Sequence, residues 1–139
     1  MKELQETLET PSALETLGIK KLSDTELEFM NVIWAHPEGI TSEQIYSQFS
    51  QALGTKSTIL HRISRKGLVN MVRSGRHHIY IPRITKQEYI QLFFLEKLRK
   101  EFRITTFEGM IAAFCGRTKL KKEERERVQQ LLEELRDEC

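Results

Sequence analysis

The sequence predicts a mainly α fold: a winged helix-turn-helix of the α+β kind with a two-strand wing, followed by a C-terminal α-helical region. Three observations predict it. Capping boxes, in which a serine or threonine is followed three residues later by glutamate or glutamine, mark helix starts at Ser23, Thr41 and Thr85. The apolar period changes from helical to alternating at Leu68 and returns to helical beyond Pro82. No acid occurs from Gln44 to Gln87, a stretch that carries eight lysines and arginines.

A chain of 139 residues has room for one ordinary domain, or for a small domain with a dependent helical extension. Residues 1–21, with Pro11, Gly18 and scattered leucines (Leu4, Leu8, Leu14, Leu17), read as a mobile or weakly helical arm. The first firm helix opens at Ser23-Asp24-Thr25-Glu26, carries Leu27, Met30, Val32, Ile33 and Trp34, and stops by Pro37-Glu38-Gly39. Thr41-Ser42-Glu43-Gln44 starts a short second helix with Ile45 and Phe49, ending near Leu53-Gly54. A third helix is expected from Lys56 to Lys66, closed by Gly67 as a left-handed cap, with Ile59, Leu60 and Ile63 facing the core. Leu68–Arg73 and His77–Ile81 alternate as two strands around Ser74-Gly75-Arg76, and Pro82 closes the second. Residues 22–84 thus form the winged unit.

Thr85-Lys86-Gln87-Glu88 begins a tail, residues 85–139, with helices expected at about 85–103, 106–115 and 121–136. Three helices in about 55 residues bury too little surface alone to offset their ordering entropy. A second copy of the chain would cover Leu92, Phe93, Leu95, Phe102, Phe107, Ile111, Phe114, Val128, Leu131, Leu132 and Leu135. The alternative is a tail folded back on its own head.

The net charge is only +2, but its distribution is informative. Lys56, Arg62, Arg65, Lys66, Arg73, Arg76, Arg83 and Lys86 fall in the acid-free run, with His61, His77 and His78 among them. A cationic middle between mixed or acidic ends is the footprint of a polyanion binder. In a winged helix-turn-helix the third helix enters the major groove, so its leading end and outer face carry the candidate contacts. Thr58 can meet a base edge or a thymine methyl, and Arg62 can pair with guanine. Lys56 and Ser57 suit phosphate oxygens, and Thr41, Ser42 and Thr55 are further candidate DNA contacts. Ser57 and Thr58 have a duller role open to them, as N-caps. His61 and Arg65 share the outer face. Arg73, Arg76, His77 and His78 crowd the hairpin, where a wing lies along the phosphates. Adjacent histidines on a strand point to opposite faces, so a metal site is not expected. The histidines predict binding that strengthens as pH falls toward 6.

Leu22-Ser23-Asp24-Thr25-Glu26-Leu27-Glu28-Phe29-Met30-Asn31-Val32-Ile33-Trp34, Gly54-Thr55-Lys56-Ser57-Thr58-Ile59-Leu60 and Lys66-Gly67-Leu68-Val69 resemble the penicillinase-repressor family. That family holds the beta-lactamase and methicillin-resistance repressors and their copper-responsive relatives, and the resemblance runs from about Leu22 to Leu135. It implies a homodimer on a palindromic operator that blocks transcription of resistance genes, with the C-terminal helices interlocking two chains. Copper-responsive relatives carry Cys-x-Cys motifs near the C-terminus, where this chain has Cys139 alone, so no metal cofactor is expected. Antibiotic-responsive members are cut by a membrane sensor-protease between Asn and Phe. The equivalent bond here is Ala113–Phe114, which makes those residues the candidate cleavage site and leaves the inducing signal open.

Other function classes fare less well. No Gly-rich phosphate loop, His-Glu-x-x-His, Cys-x-x-Cys or nucleophile elbow is present, so no enzyme is expected. The two cysteines, Cys115 and Cys139, read as reduced thiols. With no apolar stretch of spanning length and no secretory leader, a cytoplasmic protein is expected. The remaining rivals are a winged-helix protein-interaction module and a ligand-responsive regulator not cleaved by a protease.

Overall fold

The structure, a computed structural model, describes residues 18–137; Cys139 and residues 1–17 of the expected arm lie outside the described residues. The chain divides between Leu92 and Phe93 into two compact units.

The first unit holds α1 (Asp24–Trp34), β1 (Ile40–Thr41), α2 (Ser42–Tyr46), α3 (Leu53–Arg65), β2 (Val69–Ser74), β3 (His77–Pro82) and α4 (Lys86–Tyr89). Reciprocal capping boxes at Ser23, Thr41 and Thr85 fix three of the four helix starts, each satisfying two amides that the helix itself cannot. A serine, two threonines and their partners at the fourth position therefore account for most of the punctuation.

The sheet has three antiparallel strands in the order β1-β3-β2, not the two expected. Ile40 pairs with Tyr80 and Thr41 with Ile79, while β2 and β3 pair from Val69–Pro82 down to Ser74–His77. β1 is two residues long, too short for alternation to show, and its Thr41 doubles as the α2 cap. The hairpin turn is Gly75-Arg76, with a positive φ of 62° at Gly75, as a two-residue loop led by glycine requires.

Phe29, Met30 and Ile33 of α1, Ile45 of α2, Leu60 and Ile63 of α3, and Leu68 are fully buried. Each removes enough apolar surface from water to contribute about 1.5–3 kcal/mol. Phe29 also stacks on Phe49 beyond α2, centroids 3.9 Å apart, which anchors the α2–α3 connection. Tyr89 ties the start of α1 to α4: its hydroxyl accepts from the Leu22 N–H at 2.9 Å.

The expected single helix over 85–103 is interrupted. A π turn, Ile90–Phe94, separates α4 from α5 (Leu95–Lys100) and shifts the register of the side chains that follow. In the second unit come α5, α6 (Phe107–Phe114) and α7 (Lys122–Asp137). The Arg125 guanidinium donates to buried Glu108 at 2.6 and 3.0 Å, joining α7 to α6. Arg117 and Glu124 form a bidentate pair at 2.6–2.7 Å that holds the Glu124 carboxyl down to about 2. No helix among the described residues is long and apolar enough to cross a membrane.

Candidate nucleic-acid interface

Helix α3 is amphipathic by construction. Ile59, Leu60 and Ile63 seat one face in the core, and Ser57, Thr58, His61, Arg62 and Arg65 are exposed on the remainder. The helix begins at Leu53, one turn earlier than expected, with Ala52 at its cap position making no side-chain hydrogen bond. No capping signal marked that start, and Gly54, a poor helix former, obscured it. Two expectations change in consequence. Ser57 and Thr58 are not N-caps, and the open amides of the helix start belong to Leu53, Gly54 and Thr55 rather than to Lys56.

The hydroxyls and ammonium groups are partly engaged. Thr58 Oγ1 donates back to the Gly54 carbonyl at 2.9 Å, leaving its lone pairs and methyl outward. Lys56 Nζ donates to the Tyr46 carbonyl at 2.8 Å, joining α3 to the end of α2. Thr41 is half-buried and its hydroxyl works inside the capping box with Gln44, while Ser42 is half-buried beside it. Thr55 is exposed.

Helix α3 packs on β2, which brings the helix and the hairpin together. Arg73 and His78 sit directly opposite each other across the hairpin, and Arg76 is at its exposed tip. His77 pairs with Ser74 in the ladder, and its Nδ1 lies 3.0 Å from Glu43 Oε1 at the start of α2. The acid that bounds the basic run thus reaches into the wing.

Of the eight bases, Lys66 faces inward. Its ammonium pairs with Glu26 of α1, a carboxylate only 3% exposed. Burial raises the Glu26 carboxyl, but Lys66 and the Ser23 amide and hydroxyl outweigh it, and the net shift is downward. Arg83 Nη1 donates to the Gly67 carbonyl at 3.1 Å. Arg62, Arg65, Arg73 and Arg76 remain exposed, giving helix and wing a cationic surface.

A family model described as penicillinase repressor matches residues 22–134. The chain belongs to the penicillinase repressor family. This family consists of DNA-binding transcriptional repressors, and the match spans α1 through most of α7. Among curated relatives, this family member is 32% identical to the penicillinase repressor of Bacillus licheniformis over 120 residues, which is 84% of this chain and 92% of that one. It is 32% identical to the transcriptional regulator BlaI of Mycobacterium tuberculosis over 68 residues, 46% of this chain and 49% of that one. Among solved structures, the DNA-binding domain of the repressor BlaI matches 54% of this chain and 95% of its own, at 34% identity and a TM-score of 0.48.

Two features of the surface were not foreseen. Leu53 at the first position of α3 is 67% exposed, and Met71 and Val72 are exposed on β2. Alternation along a strand would turn every second residue inward, whereas in β2 only the first residue, Val69, is buried. In the tail, Phe102, Phe114, Leu131 and Leu135 are exposed, and Phe93, Leu95, Phe107, Ile111, Val128 and Leu132 are half-buried. Leu92 differs: it is buried within its own chain and has no surface left for a partner. Ala113 and Phe114 are both exposed at the end of α6.

Proposed function

We propose that this family member works as a cytoplasmic homodimer on a palindromic operator. In this reading residues 22–84 form the DNA-binding part and residues 85–139 the dimerisation part. Each α3 enters one of two successive major grooves about 10 base pairs apart, or a multiple of that spacing. Arg76 at the hairpin tip lies on the neighbouring phosphates, and occupancy excludes RNA polymerase. The observation that carries this is the outer face of α3, where His61, Arg62 and Arg65 stand exposed opposite a fully apolar inner face. The exposed apolar residues of the tail support the dimer: Phe94 and Phe114 border a shallow apolar groove of about 220 Å³ with Leu98 and Met110.

Selection of DNA from a random duplex pool tests the reading. The expected product is an inverted repeat; a single unpaired half-site would remove the dimer. Repeated with Arg62→Ala, the selection loses preference at one position per half-site, at a cost of about 1–3 kcal/mol. With Arg76→Ala every sequence weakens alike. If both variants select and bind as the parent does, the assignment of reading head fails. Induction by a membrane sensor-protease at Ala113–Phe114 belongs to the same reading, supported by the exposure of both residues.

A further inference from the structure

The first unit contains a concavity of about 460 Å³ that no part of the DNA-binding reading uses. It opens where the end of α1, the exit of β3 and the cap of α4 meet. Its floor is apolar, made by Trp34, Pro37, Pro82 and Ile84, and its rim carries Arg83 and Lys86. The size falls within the range of small-molecule sites, and an apolar bed with a few polar groups is their usual make-up.

We propose that this cavity binds a small aromatic carboxylate and that its occupancy is felt by helix α3. A flat apolar body matches the indole and the two proline rings, and one negative charge matches the rim. Arg83 and Lys86 are both exposed there. The rim's own acid, Glu88, is engaged in the α4 capping box, its carboxylate accepting from the Thr85 N–H at 3.0 Å. The Trp34 indole N–H already donates to the Ile84 carbonyl at 3.0 Å, so the ring's position is fixed before any ligand arrives. A preorganised bed of this kind loses little freedom on binding.

Arg83 supplies the coupling. Its guanidinium holds the Gly67 carbonyl, directly after the α3 cap residue Lys66, and its backbone N–H donates to the Leu68 carbonyl at 2.8 Å. A carboxylate in the cavity competes for that guanidinium, because a charged acceptor makes the stronger hydrogen bond. Turning Arg83 toward the ligand removes the bond at the end of α3. Ligand and operator then oppose each other, a consequence that rests on the DNA-binding reading, whereas binding to the cavity does not.

Trp34 is the chain's single tryptophan, so emission excited beyond the tyrosine absorption band, followed in the full-length protein and corrected for ligand absorption and emission, reports on this cavity. Titration with benzoate and with 2-naphthoate should give a saturable change, and the neutral isostere benzamide should bind at least tenfold more weakly. Arg83→Gln should weaken the carboxylates about tenfold and bring them level with benzamide, with the circular dichroism of the parent retained. A linear, unsaturable quench, equal affinity for benzoate and benzamide, or an unchanged response in Arg83→Gln would each overturn the proposal. In a parallel gel shift on the selected operator, benzoate should weaken binding by the parent and leave Arg83→Gln indifferent. Saturable fluorescence with no effect on operator affinity retains the site and removes the coupling; absence of any operator binding counts against the DNA reading alone.

Discussion

Lys66 shows why a charge in a sequence is not yet a charge on a surface. It sits in the acid-free run beside the exposed arginines, yet it turns inward to Glu26, and Lys56 likewise reaches a backbone carbonyl of α2. The run was legible because absence of acids is visible residue by residue. The division of labour within it was not, since Glu26 lies forty positions away in another helix. The pair makes a checkable statement about acid stability. Because the native Glu26 carboxyl titrates below its ordinary value, its contribution is full above the unfolded carboxylate range near about 4.3 and is lost as pH falls through the lower native value. Glu26→Gln should therefore lower the urea midpoint at pH 7 by the equivalent of about 1–3 kcal/mol, a range that allows for the partial exposure of Lys66. At pH 3 the gap between parent and variant should have narrowed. A gap of constant size from pH 7 to pH 3 would show that packing, and not the ion pair, is what the substitution disturbs.

Elements with their own punctuation could be read directly from the chain. Three capping boxes gave three helix starts, and the glycine-led turn gave the hairpin, because in each case the stabilising partner lies within a few residues. The start of α3 and the strand β1 were hidden for the opposite reason. Ala52 offers no cap, and β1 exists only because Ile40 and Thr41 meet Tyr80 and Ile79 of a strand far along the chain. Gly39 permits that meeting. Its φ is 122°, and a Cβ there would stand 2.8 Å from Ile79 Cγ2. Gly75 also has a positive φ but opens onto empty space. Gly75→Ala therefore meets backbone strain alone, whereas Gly39→Ala meets strain and a steric conflict together. Gly75→Ala should cost about 1 kcal/mol, for the conformation alone. Gly39→Ala should cost about 2–3 kcal/mol, a fall in melting temperature of roughly 8–24 °C for a unit of this size. Equal losses in the two variants would mean that β1 yields freely and contributes little to holding α2 in place.

The whole molecule leaves a marked apolar surface in its second unit, where Phe102 is 60% and Phe114 80% exposed alongside Leu131 and Leu135. The sequence already carried this imbalance as too many large apolar residues for three short helices. Leu92 stands apart from the other apolar residues expected to meet a partner, because its side chain is buried within its own chain. Exposed apolar surfaces of this kind are normally covered by a partner. The salt dependence of DNA binding then becomes a count of subunits. Four exposed arginines per chain, Arg62, Arg65, Arg73 and Arg76, each displacing one counterion, give a slope of log K against log salt of about −7 for two subunits and about −3.6 for one. Phe114→Glu combined with Leu131→Glu alters side chains that already face solvent, so each chain keeps its fold while the proposed dimer loses its common surface. The expected result is a sedimenting monomer whose slope on operator DNA falls to about half that of the parent. A double variant that still sediments as a dimer would place the subunit contact elsewhere. A parent slope near −3.6 would mean that one subunit alone engages the duplex, whatever the oligomer in solution.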